Sequence, residues 1–311
     1  MCLFKLAEYL IGTGGWAYFN IPGRDSLEEY SRIYNFVEVN ASFYRTIPLR
    51  LVESWRKRVP PNFEFSVRLN KIVSHKYEME ANEITFKLFE YTKKMCRVLK
   101  SETIVIETPD TLEYSDHKVR KIADFLSSLN PGSIRLAWEV RRRQKQLPSA
   151  LIDLMKEHNI IHIIDLSKDM PLYESDQIYS RLFGKGEHNM YQFTDEELLN
   201  IYDKTQKRKY EKVILTFHGV RMYKDAARLN MYLKEKRFPS VTKHQGLRSL
   251  EAVLSEDTDF PISKEDLIRN QGWKVMDLTK QKRIHVSEML IDLPKRVYKS
   301  VDEIISFCCN Y

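Results

Sequence analysis

The chain has 311 residues, 43% hydrophobic and 12% aromatic, enough for one large domain with its own core and a small second one. No apolar stretch approaches the roughly 20 residues of a membrane span, and the start from Met1 to Leu10 lacks the layout of a secretory signal, so a cytoplasmic protein without a membrane partner is expected. The net charge of +7 and a pI near 9.0 suit an anionic partner such as DNA or RNA but do not require one.

In chain order, Leu10 and Ile11 lead into Gly12-Thr-Gly-Gly-Trp16, a short strand closing on glycines, and Ser26-Leu-Glu-Glu29 opens a helix through Tyr34. Phe36 to Tyr44 reads as a second strand in which Glu38, Asn40, Ser42 and Tyr44 share one face and Val37, Val39 and Phe43 the other. A helix over Leu49 to Arg58, a strand over Phe63 to Asn70, a loop holding His75 and a helix over Ile84 to Leu99 follow. Strands are then expected at Thr103 to Thr108, Ile134 to Arg141, Ile160 to Leu166, Ile178 to Gly184 and Lys212 to Gly219, with helices after them.

Eight strands alternating with helices over about 235 residues match a TIM-type (β/α)8 barrel, with an open doubly wound sheet as the competitor. The expected division is a barrel over residues 1–237 and a small helical domain over 238–311, where Ser263 to Asp266 and Ser300 to Glu303 have capping-box form. Gly12, Gly14 and Gly15 miss the dinucleotide and P-loop spacings. Cys2, Cys96, Cys308 and Cys309 lack metal-ligand spacing and read as reduced thiols. The basic clusters (Arg141 to Arg143 with Lys145; Lys204 to Lys212; Lys234 to Arg237) read as solvated surface, with an anion-binding face as the alternative.

Alternation puts Glu38 and Asn40, Arg68 and Asn70, Glu107, Glu139 and Arg141, Asp165, Arg181 and His218 late on seven of the strands. In a closed barrel these positions meet at the carboxyl-terminal mouth, where barrel enzymes place reacting groups. A stability-only barrel has no need of polar groups at one end of so many strands. Arginines grip phosphate, and a carboxylate beside a histidine acts as base or holds a divalent ion. Glu107, Glu139 and Asp165 are the candidate ligands for magnesium or manganese.

Gly12 to Trp16, Val37-Glu-Val-Asn40 with Phe43-Tyr44, Trp55, Phe65-Ser-Val67, Ser74-His75 and Trp138-Glu-Val-Arg141 together resemble the YecE-like family, domain of unknown function 72, over roughly Leu10 to Leu233. The resemblance implies a barrel with a groove at its mouth and no settled activity. It places the family's recurrent polar positions on Glu38, Asn40, Tyr44, His75, Glu139, Arg141 and Arg181. Phe183-Gly184 stands where the family usually has His-Gly, and His218 where it has asparagine.

The expected function is binding of a phosphate-bearing substrate and hydrolysis of DNA or RNA. Arg68, Arg141 and Arg181 would hold phosphate, Glu38 or Glu139 would serve as base, His75 or His218 as acid, and Trp16 and Tyr44 would stack on a base or sugar. The alternatives are a noncatalytic nucleic-acid or protein binding module, and a sugar-active enzyme using Glu38 and Glu139 as its carboxylate pair.

Overall fold

Eight runs rich in β-branched and aromatic residues form one parallel sheet in the computed structural model, which describes residues 7–141 and 146–308. The expectations for the opening stretch, Cys2, Arg142, Arg143, Lys145 and Cys309 lie outside those residues. The strands are β1 Glu8–Thr13, β2 Phe36–Val39, β3 Glu64–Arg68, β4 Thr103–Thr108, β5 Arg135–Val140, β6 Ile161–Ile163, β7 Gln177–Leu182 and β8 Lys212–Phe217. Between and after them run α1 Ser26–Ile33, α2 Ala41–Tyr44, α3 Leu49–Lys57, α4 Glu83–Leu99, α5 Asp116–Ser127, α6 Ser149–Glu157, α7 Asp195–Gln206 and α8 Met222–Glu235. The strand order is β6-β5-β4-β3-β2-β1-β8-β7. A parallel bridge between Ile164 and Ser180 joins the outer strands, and the Arg181 amide donates to the Ile164 carbonyl at 3.0 Å. The sheet is therefore a nearly closed (β/α)8 barrel.

The chain divides into two compact units, Met1–Leu182 with Thr205–Phe217, and Phe183–Lys204 with His218–Tyr311. All eight strands belong to the first. Its interior is a buried cluster of Leu10, Phe36, Val105, Ala137, Ile161, Ile163, Tyr179 and Ile214. Side chains on a strand repeat their direction every second residue. Glu38 therefore follows Phe36 inward, as Glu107 follows Val105, Glu139 follows Ala137 and Arg181 follows Tyr179. The apolar plug thus carries charge on its carboxyl-terminal side. On the amino-terminal side the Lys212 ammonium meets Glu102 at 3.0 Å, Glu64 at 3.1 Å and Glu8 at 3.7 Å.

The stretch from Phe36 to Tyr44 departs from its expected alternation. The strand stops at Val39, and Asn40 takes right-handed helical backbone (φ −74°, ψ −29°) to open the one-turn helix α2. The Ser42 hydroxyl reaches the Val39 carbonyl at 2.9 Å and the Arg68 carbonyl at 2.7 Å, a local alternative to the sheet ladder. Ser42 and Phe43 are buried and Tyr44 is exposed, so these residues do not share faces as a strand would arrange them.

The second unit holds most of α7, all of α8 and the C-terminal segment, whereas the sequence pattern divides the chain at residue 237. Helices α9 Leu247–Leu254, α10 Lys264–Gln271, α11 Val286–Leu290 and α12 Val301–Cys308 accompany two antiparallel strand pairs. These are β9 Ile262–Ser263 with β12 Val297–Tyr298, and β10 Val275–Asp277 with β11 Arg283–His285. The small strands are an addition to the expected helices. The Ser263 hydroxyl caps α10 by accepting from the Asp266 amide at 3.1 Å, and Leu250, Leu254, Leu267, Met276 and Tyr298 lie in the core. Among the described residues no helix is long and apolar enough to cross a membrane.

Asp225 of α8 is buried, and burial pushes its carboxyl up to about 6 although Arg228 partly opposes the shift. A carboxyl raised above its unfolded value of 3.8 favours the folded state at low pH and loses that contribution as pH climbs through its folded value. Asp225→Asn should therefore remove about 3 kcal/mol of pH dependence between roughly pH 4 and 6. Urea unfolding across that range measures it; a wild-type slope in the variant would show that Asp225 does not titrate this way.

Candidate functional site

Glu107 and Glu139 are directly opposed on adjacent parallel strands, so their carboxylates stand abreast at the barrel mouth. Two like charges at that spacing need cations between them. Arg141, one residue beyond β5, lies 3.3 Å from Glu107 Oε1 and 3.1 Å from Glu139 Oε1. Arg181, reaching in from β7, places Nη1 2.5 Å from Glu107 Oε2 and against Glu139 Oε2. The carboxylate pair is clamped by two guanidiniums, each of which touches both acids.

Deeper in the barrel, Arg181 Nη2 lies 3.1 Å from Glu38 Oε1. The Tyr179 hydroxyl donates to Glu38 Oε2 at 2.8 Å; with its proton so used, it accepts from the Ser66 hydroxyl, also at 2.8 Å. Arg68 places Nη2 2.5 Å from Glu107 Oε2 and pairs through Nη1 with Asn40 Oδ1. Its guanidinium carbon stands 3.7 Å from the centre of the Phe43 ring. Glu38, Glu107 and Glu139 are thus matched by Arg68, Arg141 and Arg181. Such pairing is what allows so much charge to leave water.

The electrostatics follow this pairing. Burial would raise the Glu139 carboxyl, but Arg181 and Arg141 overcome it and hold it below the usual carboxylate value. Burial works against the Arg181 charge, yet Glu139, Glu38 and Glu107 secure it well above the ordinary arginine value. Burial, with Arg181 nearby, lowers Arg68. Exposure is graded: the Glu38 side chain is 0% accessible, Glu139 15% and Arg141 42%. Only the outer part of the cluster meets solvent.

His75 sits on a π-helical turn, Ile72–Lys76, a backbone form enriched at functional sites. Its Nδ1 is 2.9 Å from the Ser74 hydroxyl, and its ring meets Phe43 edge-on with centroids 5.2 Å apart. Burial lowers its proton affinity; Glu107 opposes this and Arg141, Arg68 and Lys71 reinforce it. The net effect favours the uncharged imidazole.

Of the predicted residues, the structure gathers Glu38, Arg68, Glu107, Glu139, Arg141 and Arg181 into one network joined by Asn40, and His75 lies within its field. Trp16 packs edge-on against Trp55 at 5.0 Å; Tyr44 is exposed, with the Lys71 ammonium 5.4 Å from its ring centre. Asp165 lines a cavity with Glu139, His162 and Asp169. It lies past the short β6, accepts from the Ser167 amide and hydroxyl at 3.0 and 2.6 Å, and pairs with Lys168 at 3.5 Å. Among the described residues no group of three or more His, Cys, Asp or Glu is placed to hold a metal ion, so Glu107, Glu139 and Asp165 do not form the magnesium or manganese set expected of them. His218 follows β8 and belongs to the second unit, where it stacks on Phe183 with centroids 4.8 Å apart. Ser66 and Tyr179 are members of the network that the sequence pattern missed; each lies two residues before one of its arginines, where the same alternation would have found it.

The model of the protein family of unknown function DUF72 matches residues 10–248. A DUF72 family protein from Thermotoga maritima is 17% identical, with a TM-score of 0.61 over 73% of this chain and 100% of that one. Another from Enterococcus faecalis is 16% identical, with a TM-score of 0.57 over 74% of this chain and 98% of that one. At such identity the likeness establishes the fold alone. No curated protein matches this chain.

Proposed function

Because the chain belongs to the DUF72 family, which is described only as of unknown function, we propose its role from its own barrel mouth: it binds a phosphate-bearing ligand at Arg141, with DNA or RNA as the ligand class. The carrying observation is the redundancy of the clamp. Arg141 is the exposed guanidinium of the network, and both carboxylates it touches are also held by Arg181. A phosphate can therefore take Arg141 from Glu107 and Glu139 without leaving either acid unpaired, which is the condition for a low-cost exchange in a partly buried site. Lys71 beside Tyr44 adds positive charge and a stacking face near the rim.

Hydrolysis extends this reading. Glu139, released from Arg141 and partly open to solvent, is the general base for an attacking water, with His75 as a second proton-transfer group. Glu38, buried on Tyr179 and Arg181, positions the clamp and does not meet the ligand. Complete internal charge pairing favours a second reading, in which the mouth binds without catalysing.

Titration with inorganic phosphate and with short single-stranded DNA and RNA tests the binding step. Arg141→Gln should weaken binding about tenfold or more, the loss of one charge-assisted contact. Glu139→Gln should bind at least as well as the wild type, and if hydrolysis occurs it should abolish turnover. Binding without cleavage in either protein supports the noncatalytic reading; Arg141→Gln binding like wild type removes the mouth from consideration.

A further inference from the structure

At the opposite end of the barrel, where α4 turns into β4 and α5 into β5, the first unit contains a cavity of about 380 Å³. That volume is in the range of small-molecule sites. Lys93, Arg97 and Lys100 line one side, Pro131, Gly132 and Ser133 another, and none of the described lining residues is acidic. The Lys93 side chain is 92% buried (8% accessible); it pins the far wall by donating to the Asn130 carbonyl and contacts Glu90 at 3.2 Å. Arg97 and Lys100 make no ion pair or side-chain hydrogen bond among the described residues. The backbone amides of Gly132 and Ser133 likewise have no partner there, and Gly132 takes a left-handed turn (φ +65°) with nothing within 4 Å of where a side chain would stand.

Two cations and two adjacent amides, all exposed and none with a protein partner among the described residues, line one cavity that holds no carboxylate. Successive amides in a left-handed turn form an anion-binding concavity, and cations opposite them supply the charge. Cations also complement the carboxyl end of a helix such as α4, but that role asks for neither a cavity nor the amides on its other wall. We propose that this cavity is a second anion site, distinct from the mouth, which takes a small phosphate-bearing molecule between Arg97 and Lys100 on one side and the Gly132 and Ser133 amides on the other. Barrel chemistry belongs to the other face, so the site binds and does not catalyse.

Pyrophosphate is the probe, titrated calorimetrically into the full chain carrying Arg141→Gln, so that the mouth is weakened. That protein should still show saturable, salt-sensitive binding. Adding Arg97→Gln with Lys100→Asn, which keeps a residue tolerant of left-handed backbone at position 100 (φ +58°), should weaken it at least about tenfold. No binding in the Arg141→Gln protein, or binding unchanged by the added substitutions, overturns the proposal. Should the triple variant fail to fold, the amide resonances of Gly132 and Ser133 decide: they should shift on adding pyrophosphate to the otherwise intact chain, and unmoved resonances overturn the site. Failure of the mouth reading looks different, since Arg141→Gln would then leave wild-type binding intact while the Arg97 and Lys100 effect persisted.

Discussion

Arg181→Met is expected to destabilise the protein by about 3–5 kcal/mol near neutral pH, the cost of removing one partner from a buried charge network. Arg181 touches Glu38, Glu107 and Glu139 together. Methionine fills much of the space and supplies no charge, leaving Arg68 and Arg141 to serve all of these carboxylates. The deficit should shrink on acidification. Glu139 is held below its ordinary value of 4.5 in the folded wild type, so its contribution is present above that value and is lost as pH falls through the lower folded value. The variant has lost that contribution already, and the two curves converge at low pH. Guanidinium unfolding near pH 7 and pH 4 measures this; a loss below about 1 kcal/mol at the higher pH, the scale of an exposed ion pair, would mean that the network is not buried as described.

Asp277→Ala should cost a similar amount, about 3–5 kcal/mol, in the second unit. The buried carboxylate accepts from the Val241 amide at 3.0 Å and the Thr242 amide at 2.6 Å, and pairs with Arg283 Nε at 2.8 Å. Its own amide donates to the Ser249 hydroxyl at 3.0 Å. One side chain thereby ties the segment before α9 to β11. Alanine strands a buried guanidinium, although Arg283 keeps Asp195 at 3.1 Å, and leaves two amides without their acceptor. Asp277→Asn retains one acceptor and should lose less. Urea unfolding and proteolysis between residues 238 and 246 are the measurements, and an alanine variant as protease-resistant as wild type would count against this account.

Some of the site is plain in the one-dimensional pattern. The alternation that buries Phe36, Val105 and Ala137 also orients Glu38, Glu107 and Glu139, because a strand repeats direction every second residue. The same rule fails after Val39, where Ser42 satisfies backbone carbonyls and the chain turns helical. It still carries to Asp165, which lines a cavity with Glu139 although β6 ends at Ile163. Partner choice is invisible to it. Nothing about Arg181 and Glu139 in the chain says that they meet, being 42 residues apart, and the π-helical turn that carries His75 has no period to read.

Periodicity and composition are local properties, and they suffice for the alternation of strands and helices, the barrel, and a set of charged residues late on the strands. Tertiary structure alone decided that these charges neutralise one another, that Glu38 is sealed from water while Arg141 faces it, and that Asp165 turns to Ser167 and Lys168. Those outcomes depend on strand register, on where each strand stops and on burial, and all three are settled only when distant segments pack and exclude solvent.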